Sequence, residues 1–150
     1  MKRVECHSLE ETGKLAQAFL DTLVPASDGA TLVILKGDLG AGKTAFVKQV
    51  ARILGITEHV TSPTFVIEKR YTLTSSPQPQ SSGFRSLVHI DAYRMERAHE
   101  LEVLGWRELL LEPYTLVMIE WPERIAESIP ESARVIECEF VDETTRIFTL

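Results

Sequence analysis

Thr31-Leu32-Val33-Ile34-Leu35-Lys36-Gly37-Asp38-Leu39-Gly40-Ala41-Gly42-Lys43-Thr44 is the stretch that decides the fold. Thr31 to Leu35 is an apolar, β-branched run of the kind that forms a buried strand. Gly37 to Thr44 fits G-x-x-x-x-G-K-[ST] without a gap, the Walker A phosphate-binding loop. Behind it, Phe46, Val47, Val50, Ile53 and Leu54 recur at helical spacing, which predicts a helix over 45–54 with Gly55 as its stop. A strand, a glycine-rich turn and a helix are the context the motif requires. A plain glycine turn with a solvated lysine would need none of it.

The chemistry of such a loop comes from its backbone. Glycines let the chain wrap a phosphate closely, so that successive N–H groups point inward. The first helical turn adds unpaired donors and the positive end of its dipole. Lys43 brings a mobile point charge for the β- and γ-phosphates. The Thr44 hydroxyl is placed to ligate Mg²⁺.

Outward from the loop, strands and helices alternate. Lys2 to Cys6 reads as a short strand, and Ser8-Leu9-Glu10-Glu11 as a capping box opening a helix that ends before Pro25. Thr61-Ser62-Pro63-Thr64 is a proline-fixed loop, followed by an extended segment over 65–71. Residues 74–86, rich in Ser, Pro and Gln, read as a surface loop. Leu87 to Ile90 is a second apolar strand, ending at Asp91. Residues 95–104 are expected to be helical with Gly105 as the stop, and 106–111 to form another short helix. Leu116 to Ile119 is a third apolar strand, ending at Glu120. Pro122 opens a short helix to Ile129, and 135–141 with 146–150 form a terminal hairpin. The expected fold is α/β: a P-loop NTPase-like, three-layer arrangement with a mixed, mostly parallel central sheet and added antiparallel strands. Ligands in such sheets bind at the carboxyl ends of the strands, so the P-loop, Asp91 and Glu120 are expected to meet at one sheet edge.

Composition bounds the function. At 150 residues, with 44% hydrophobic and 25% charged residues, the chain is expected to form one domain over 1–150. A net charge of −6 argues against a basic nucleic-acid surface of its own. Cys6 and Cys138 are not spaced for zinc and read as buried reduced thiols. No signal-like or membrane-length apolar run occurs, so a soluble, cytoplasmic protein is expected.

A P-loop enzyme needs a second carboxylate to hold Mg²⁺ or its waters, and a group to orient the attacking water. Asp91 and Glu120 each follow an apolar strand and both qualify; spacing does not say which touches the metal. The loop of Thr61, Ser62 and Thr64 is either a plain turn or a switch segment that senses the γ-phosphate. Arg94 reads as an internal arginine finger or a surface ion pair, His89 as a satisfied core histidine, and Trp121 as a nucleotide cover or core packing.

These pieces resemble the TsaE (YjeE) family, P-loop ATPases of bacterial tRNA threonylcarbamoyladenosine biosynthesis. The matching segments are GDLGAGKT at 37–44, SPTF at 62–65, HIDAYR at 89–94, ELEVLG at 100–105 and EWPE at 120–123. The resemblance covers nearly the whole chain. It implies one ATP/Mg²⁺ site, with Thr44 and Glu120 as Mg²⁺ ligands and Asp38, Leu39, Gly40, Ala41, Gly42 and Lys43 around the phosphates. Lys43 and Glu120 would be catalytic, as would Asp91, as a reacting or metal-organising carboxylate. Ser62 and Thr64 would form the switch-like loop, and Thr12 and Arg146 would lie on the adenine side. The resemblance further implies association with the TsaD–TsaB pair, which would supply the contact with tRNA, and an ATP cycle that supports repeated rounds of modification beside the anticodon.

Three other classes compete. A GTPase would carry N-K-x-D, and the chain contains no asparagine. A small-molecule kinase would need an acceptor pocket and an arginine-bearing lid, whereas Arg94, Arg97 and Arg107 are scattered. A nucleotide-dependent binding module without catalysis would not need Lys43, Thr44, Asp91 and Glu120 together.

Overall fold

In the computed structural model, residues 1–58, 60, 68–73, 82–97 and 99–150 are described. Ser62 and Thr64, with the rest of the expected switch loop, lie outside them, as do 74–81 of the Ser/Pro/Gln loop. The strands are β1 (Arg3–Cys6), β2 (Thr31–Lys36), β3 (Glu68–Thr72), β4 (Ser86–Asp91), β5 (Thr115–Glu120), β6 (Arg134–Phe140) and β7 (Arg146–Thr149). They form a seven-stranded sheet in the order β1-β7-β6-β2-β5-β4-β3. β2 runs parallel to both β5 and β6, and β4 parallel to β5. The outer pairs β1/β7, β6/β7 and β3/β4 are antiparallel.

Side-chain alternation explains why both faces are covered. In β2, Val33 and Leu35 point into one core with Leu87, Leu116 and Met118. Leu32 and Ile34 point into the other, with Val88, Ile90, Val117 and Ile119. A central strand apolar at every position needs a layer on each side. The helices α1 (Leu9–Leu20) and α2 (Lys43–Ile53) supply the first layer through Leu15, Ala16, Phe19, Phe46, Val47 and Val50. The short helices α3 (Glu100–Val103) and α4 (Trp106–Leu110), with a 3₁₀ segment at Pro122–Ser128, supply the second through Leu101, Trp106, Leu109 and Ile125. The fold class expected from sequence is therefore observed.

Local sequence accounts for most element ends. Ser8 Oγ accepts the Glu11 N–H at 3.1 Å. Glu11 in turn takes the His7 N–H at 2.7 Å, one residue before the position a regular capping box uses. Gly105, at φ 75°, stops α3 and opens α4.

Two expected helices are different. Instead of a helix over 95–104, the structure has the single turn α3. Asp91 Oδ1 accepts the Tyr93 N–H at 2.9 Å, and the Ala92 carbonyl accepts that of Met95 at 3.0 Å. These turns drop Met95 into the core, where it is fully buried. Tertiary burial thus outweighs a weak helical pattern. The segment after Pro122 is 3₁₀ rather than α, broken at Ile125 (φ −133°), whose side chain is fully buried in the second core.

Cys6 and Cys138 are free and buried, as expected. Burial pushes the Cys138 thiol from 9.0 up to about 12. The folded state therefore holds this proton more tightly than the unfolded chain. The associated stability is complete below about pH 9 and is lost as pH rises through about 12. Cys138 should stay unmodified by a thiol reagent at pH 8 in the native protein and react after denaturation. Mass spectrometry of the two digests checks this, and native labelling of Cys138 would contradict its burial.

Candidate functional site

The end of β2 delivers the chain into the phosphate loop. Gly37 adopts φ 144°, Gly40 φ 79° and Gly42 φ 99°, all on the side of backbone space that glycine occupies without strain. Gly37 has the stricter requirement, since a Cβ there would lie 2.3 Å from the Cys138 carbonyl oxygen of the neighbouring strand. α2 starts directly at Lys43, two residues earlier than its apolar spacing indicates, and Gly42 leaves its N-terminus without a side-chain cap. Its first-turn donors and dipole therefore face the loop rather than a protein acceptor.

Lys43 is buried, with Nζ donating to the Gly37 carbonyl at 2.5 Å and to the Asp38 carbonyl at 2.8 Å. The same ammonium sits 4.1 Å from the centre of the Trp121 ring. Trp121 reaches this place from a left-handed backbone (φ 58°, ψ 51°) immediately after β5. That conformation costs about 1–3 kcal/mol for a bulky residue. The ring also meets Tyr93 at 4.9 Å and packs partly on the second core, which is the packing reading of Trp121.

The two strand-end acids come together by register. Asp91 pairs with Glu120 across β4 and β5. Both sit on the sheet face that carries α2, because they alternate with Leu87 and His89 on β4 and with Leu116 and Met118 on β5. Both are about 2% exposed. Thr44 Oγ1 donates to Glu120 Oε1 at 2.7 Å. The other oxygen, Oε2, accepts from His89 Nε2 at 2.5 Å. His89 is fully buried, as a core histidine would be, and lines neither cavity; its Nε2 holds Glu120 from behind. Its alternation with Asp91 was the available signal.

A cavity of about 310 Å³ is bounded by Leu39 to Ala45, Asp91, Glu120, Trp121 and Arg146. The expected loop residues and both carboxylates therefore line one space; Asp38 contributes its carbonyl to Lys43 from behind it. A second cavity of about 380 Å³ adjoins it, sharing Gly42, Ala45 and Arg146. His7, Leu9, Thr12, Thr144 and Phe148 are among its walls. Thr12 and Arg146 thus both line this second cavity. Thr12 is buried and its hydroxyl donates to the Ser8 carbonyl at 3.1 Å.

Arg146 does more than line a pocket. Its Nε donates to the Gly40 carbonyl at 2.8 Å, and its Nη1 to the carbonyls of Thr145, at 2.9 Å, and Asp142. It ties the loop tip to the β6–β7 turn. That turn is built on Asp142, whose carboxyl is held below its usual range by hydrogen bonds from the Thr144 backbone and from Thr145. Sequence separation hid this link, since Gly40 and Arg146 are 106 residues apart. Arg94 is exposed and lines neither cavity.

The donor set fits Mg²⁺. Thr44 Oγ1 and Glu120 Oε1 are hard oxygens 2.7 Å apart. Adjacent ligands in an octahedron with Mg–O of about 2.1 Å lie about 3 Å apart. An uncapped helix, an inward lysine and an open glycine at position 40, where a Cβ would meet nothing within 4 Å, fit a polyphosphate beside them.

Comparison with known proteins gives the family. Residues 6–148 match the model of the family described as threonylcarbamoyl adenosine biosynthesis protein TsaE. Proteins named tRNA threonylcarbamoyladenosine biosynthesis protein TsaE are similar throughout. The one from Bacillus subtilis is 41% identical over 122 residues, covering 81% of this chain and 67% of the relative. The one from Rickettsia felis is 32% identical over 142 residues, covering 94% and 74%. The one from Treponema pallidum is 35% identical over 120 residues, covering 80% and 81%. The crystal structure of Bacillus subtilis YdiB superposes with a TM-score of 0.71 at 28% identity, covering 98% of this chain and 82% of that one. Among the described residues no helix is long and apolar enough to cross a membrane. A family match spanning almost the whole chain, carried on a phosphate loop opposed by two buried carboxylates, places this protein in the TsaE family of tRNA threonylcarbamoyladenosine biosynthesis.

Proposed function

We propose that this chain binds ATP with Mg²⁺ across the two adjoining cavities and hydrolyses it in support of tRNA threonylcarbamoyladenosine synthesis, acting with the TsaD–TsaB pair. The observation that carries the reading is the single space in which Gly40 to Thr44 face Asp91 and Glu120, beside a second cavity that shares Gly42, Ala45 and Arg146 with it. The phosphates lie against the α2 N-terminus and the loop amides. Lys43 turns from the Gly37 and Asp38 carbonyls towards the β- and γ-phosphate oxygens. Thr44 and Glu120 hold the metal, which neutralises charge on the phosphates. Asp91, fixed at the end of β4 with Oδ1 engaged by the Tyr93 N–H, orients the attacking water or the waters of the metal. Thr12 and Arg146 stand on the base side. Contact with tRNA is left to the partners, which suits a chain of net charge −6.

The test is Mg²⁺-dependent hydrolysis of ATP and of GTP by the purified chain, alone and with its cognate TsaD–TsaB pair. Expected is slow ATP-selective turnover that rises with the pair. Equal use of GTP, or phosphate transfer to a small hydroxylated acceptor, would replace this reading with a generic P-loop protein or a kinase. Nucleotide binding without phosphate release would leave a binding module.

A further inference from the structure

Glu120 is gripped from both sides, and only one of the two grips belongs to the phosphate loop. Thr44 Oγ1 holds Oε1 at 2.7 Å. His89 Nε2 holds Oε2 at 2.5 Å from inside the sheet. His89 is 0% exposed and flanked in register by Lys69 on β3 and Met118 on β5. Its other nitrogen, Nδ1, is buried and has no hydrogen-bond partner among the described residues. An apolar side chain would fill this position without leaving a polar atom unpaired. Among the described residues the imidazole has one polar contact to justify its place, and that contact is Glu120.

A buried carboxylate with a fixed acceptor role needs its rotation stopped. One hydrogen bond leaves the plane of the carboxyl free to turn, and a second from the opposite side stops it. We infer that His89 is a positioning residue for the proposed Mg²⁺ ligand Glu120. Through its Nε2–H it fixes Oε2 at the back of the site and presents Oε1 to the point that the Thr44 hydroxyl also faces. His89 touches neither nucleotide nor reacting atoms in this arrangement. The inference rests on the ATP·Mg²⁺ reading of the site and assigns it a layer behind the metal ligands, of the kind that tunes metal affinity.

The experiment measures ADP affinity by calorimetry over a range of Mg²⁺ concentrations for the parent chain, His89→Leu, His89→Gln and His89→Asn. Thermal unfolding accompanies each. His89→Leu should bind ADP without metal as the parent does. The Mg²⁺ concentration giving half the metal-dependent tightening should rise by about 10–100-fold. Gln places an amide N–H at about the reach of Nε2 and should restore most of that affinity, whereas Asn stops one bond short and should not. A folded His89→Leu variant with the parental Mg²⁺ midpoint would overturn the inference and leave His89 a packing residue. Should His89→Leu not fold, equal midpoints for Gln and Asn would overturn it. A parent chain whose ADP affinity ignores Mg²⁺ would instead defeat the metal-site reading itself, so the two failures are distinguishable.

Discussion

Glu120→Ala is expected to lower Mg²⁺-dependent ATP turnover by about 100-fold or more. A metal ion beside a phosphoryl group supplies several kcal/mol of charge stabilisation, and each 1.36 kcal/mol is about tenfold in rate. Glu120 is the carboxylate that touches the phosphate-loop hydroxyl, at 2.7 Å, and is therefore the proposed metal ligand. Truncation has a second effect, because it leaves the fully buried His89 with neither nitrogen paired. That orphaned group costs about 1–3 kcal/mol of stability. Glu120→Gln separates the two effects. It retains an amide of similar shape between Thr44 and His89 but removes the negative charge, so the fold is kept and turnover still falls. Phosphate release measured alongside thermal unfolding reads both. Parental turnover in a folded Glu120→Gln variant would remove Glu120 from the metal site and move that role to Asp91.

Gly37→Ala is expected to destabilise the fold strongly. The added Cβ would stand 2.3 Å from the Cys138 carbonyl oxygen and 3.0 Å from the Ala41 Cβ, at φ 144°. The obstacle is the backbone of a paired central strand, which no rotamer change can move. Strain at such a φ costs about 1–3 kcal/mol and forced overpacking about 1–3 kcal/mol more. A loss of about 2–6 kcal/mol lowers Tm by roughly 2–4 °C for each kcal/mol in a chain of this size. Gly40→Ala is the contrast: φ is also positive, at 79°, but a Cβ there meets nothing within 4 Å. Its cost should be confined to backbone strain. Urea unfolding of both variants gives the comparison, and equal losses would mean that strain alone, and not the approach to β6, makes Gly37 necessary.

Much of the site was legible because its parts are local. The phosphate loop is a contiguous motif, and β2 and α2 on either side follow from runs of adjacent residues. Asp91 and Glu120 could be marked because each ends an apolar strand, and parallel strands bring their carboxyl ends to one edge. What failed was equally physical. The stretch after Asp91 has helical spacing only in outline, and burial of Met95 between two tight turns overrides it. Ile125 likewise breaks its segment to reach the core. His89 could be read only as a core histidine, because its partner Glu120 lies 31 residues away on the next strand.

The order of chain segments, the phosphate loop and the two acidic strand ends were thus determined by sequence alone, since they depend on neighbours within a few residues. Tertiary structure decided which groups meet. Only the parallel registers of β5 against β2 and against β4 place Glu120 within reach of both Thr44 and His89. Only the return of β7 beside β6 carries Arg146 to the Gly40 carbonyl. Such contacts join residues far apart in the chain, and no periodicity within one segment encodes which distant segment will pack against it.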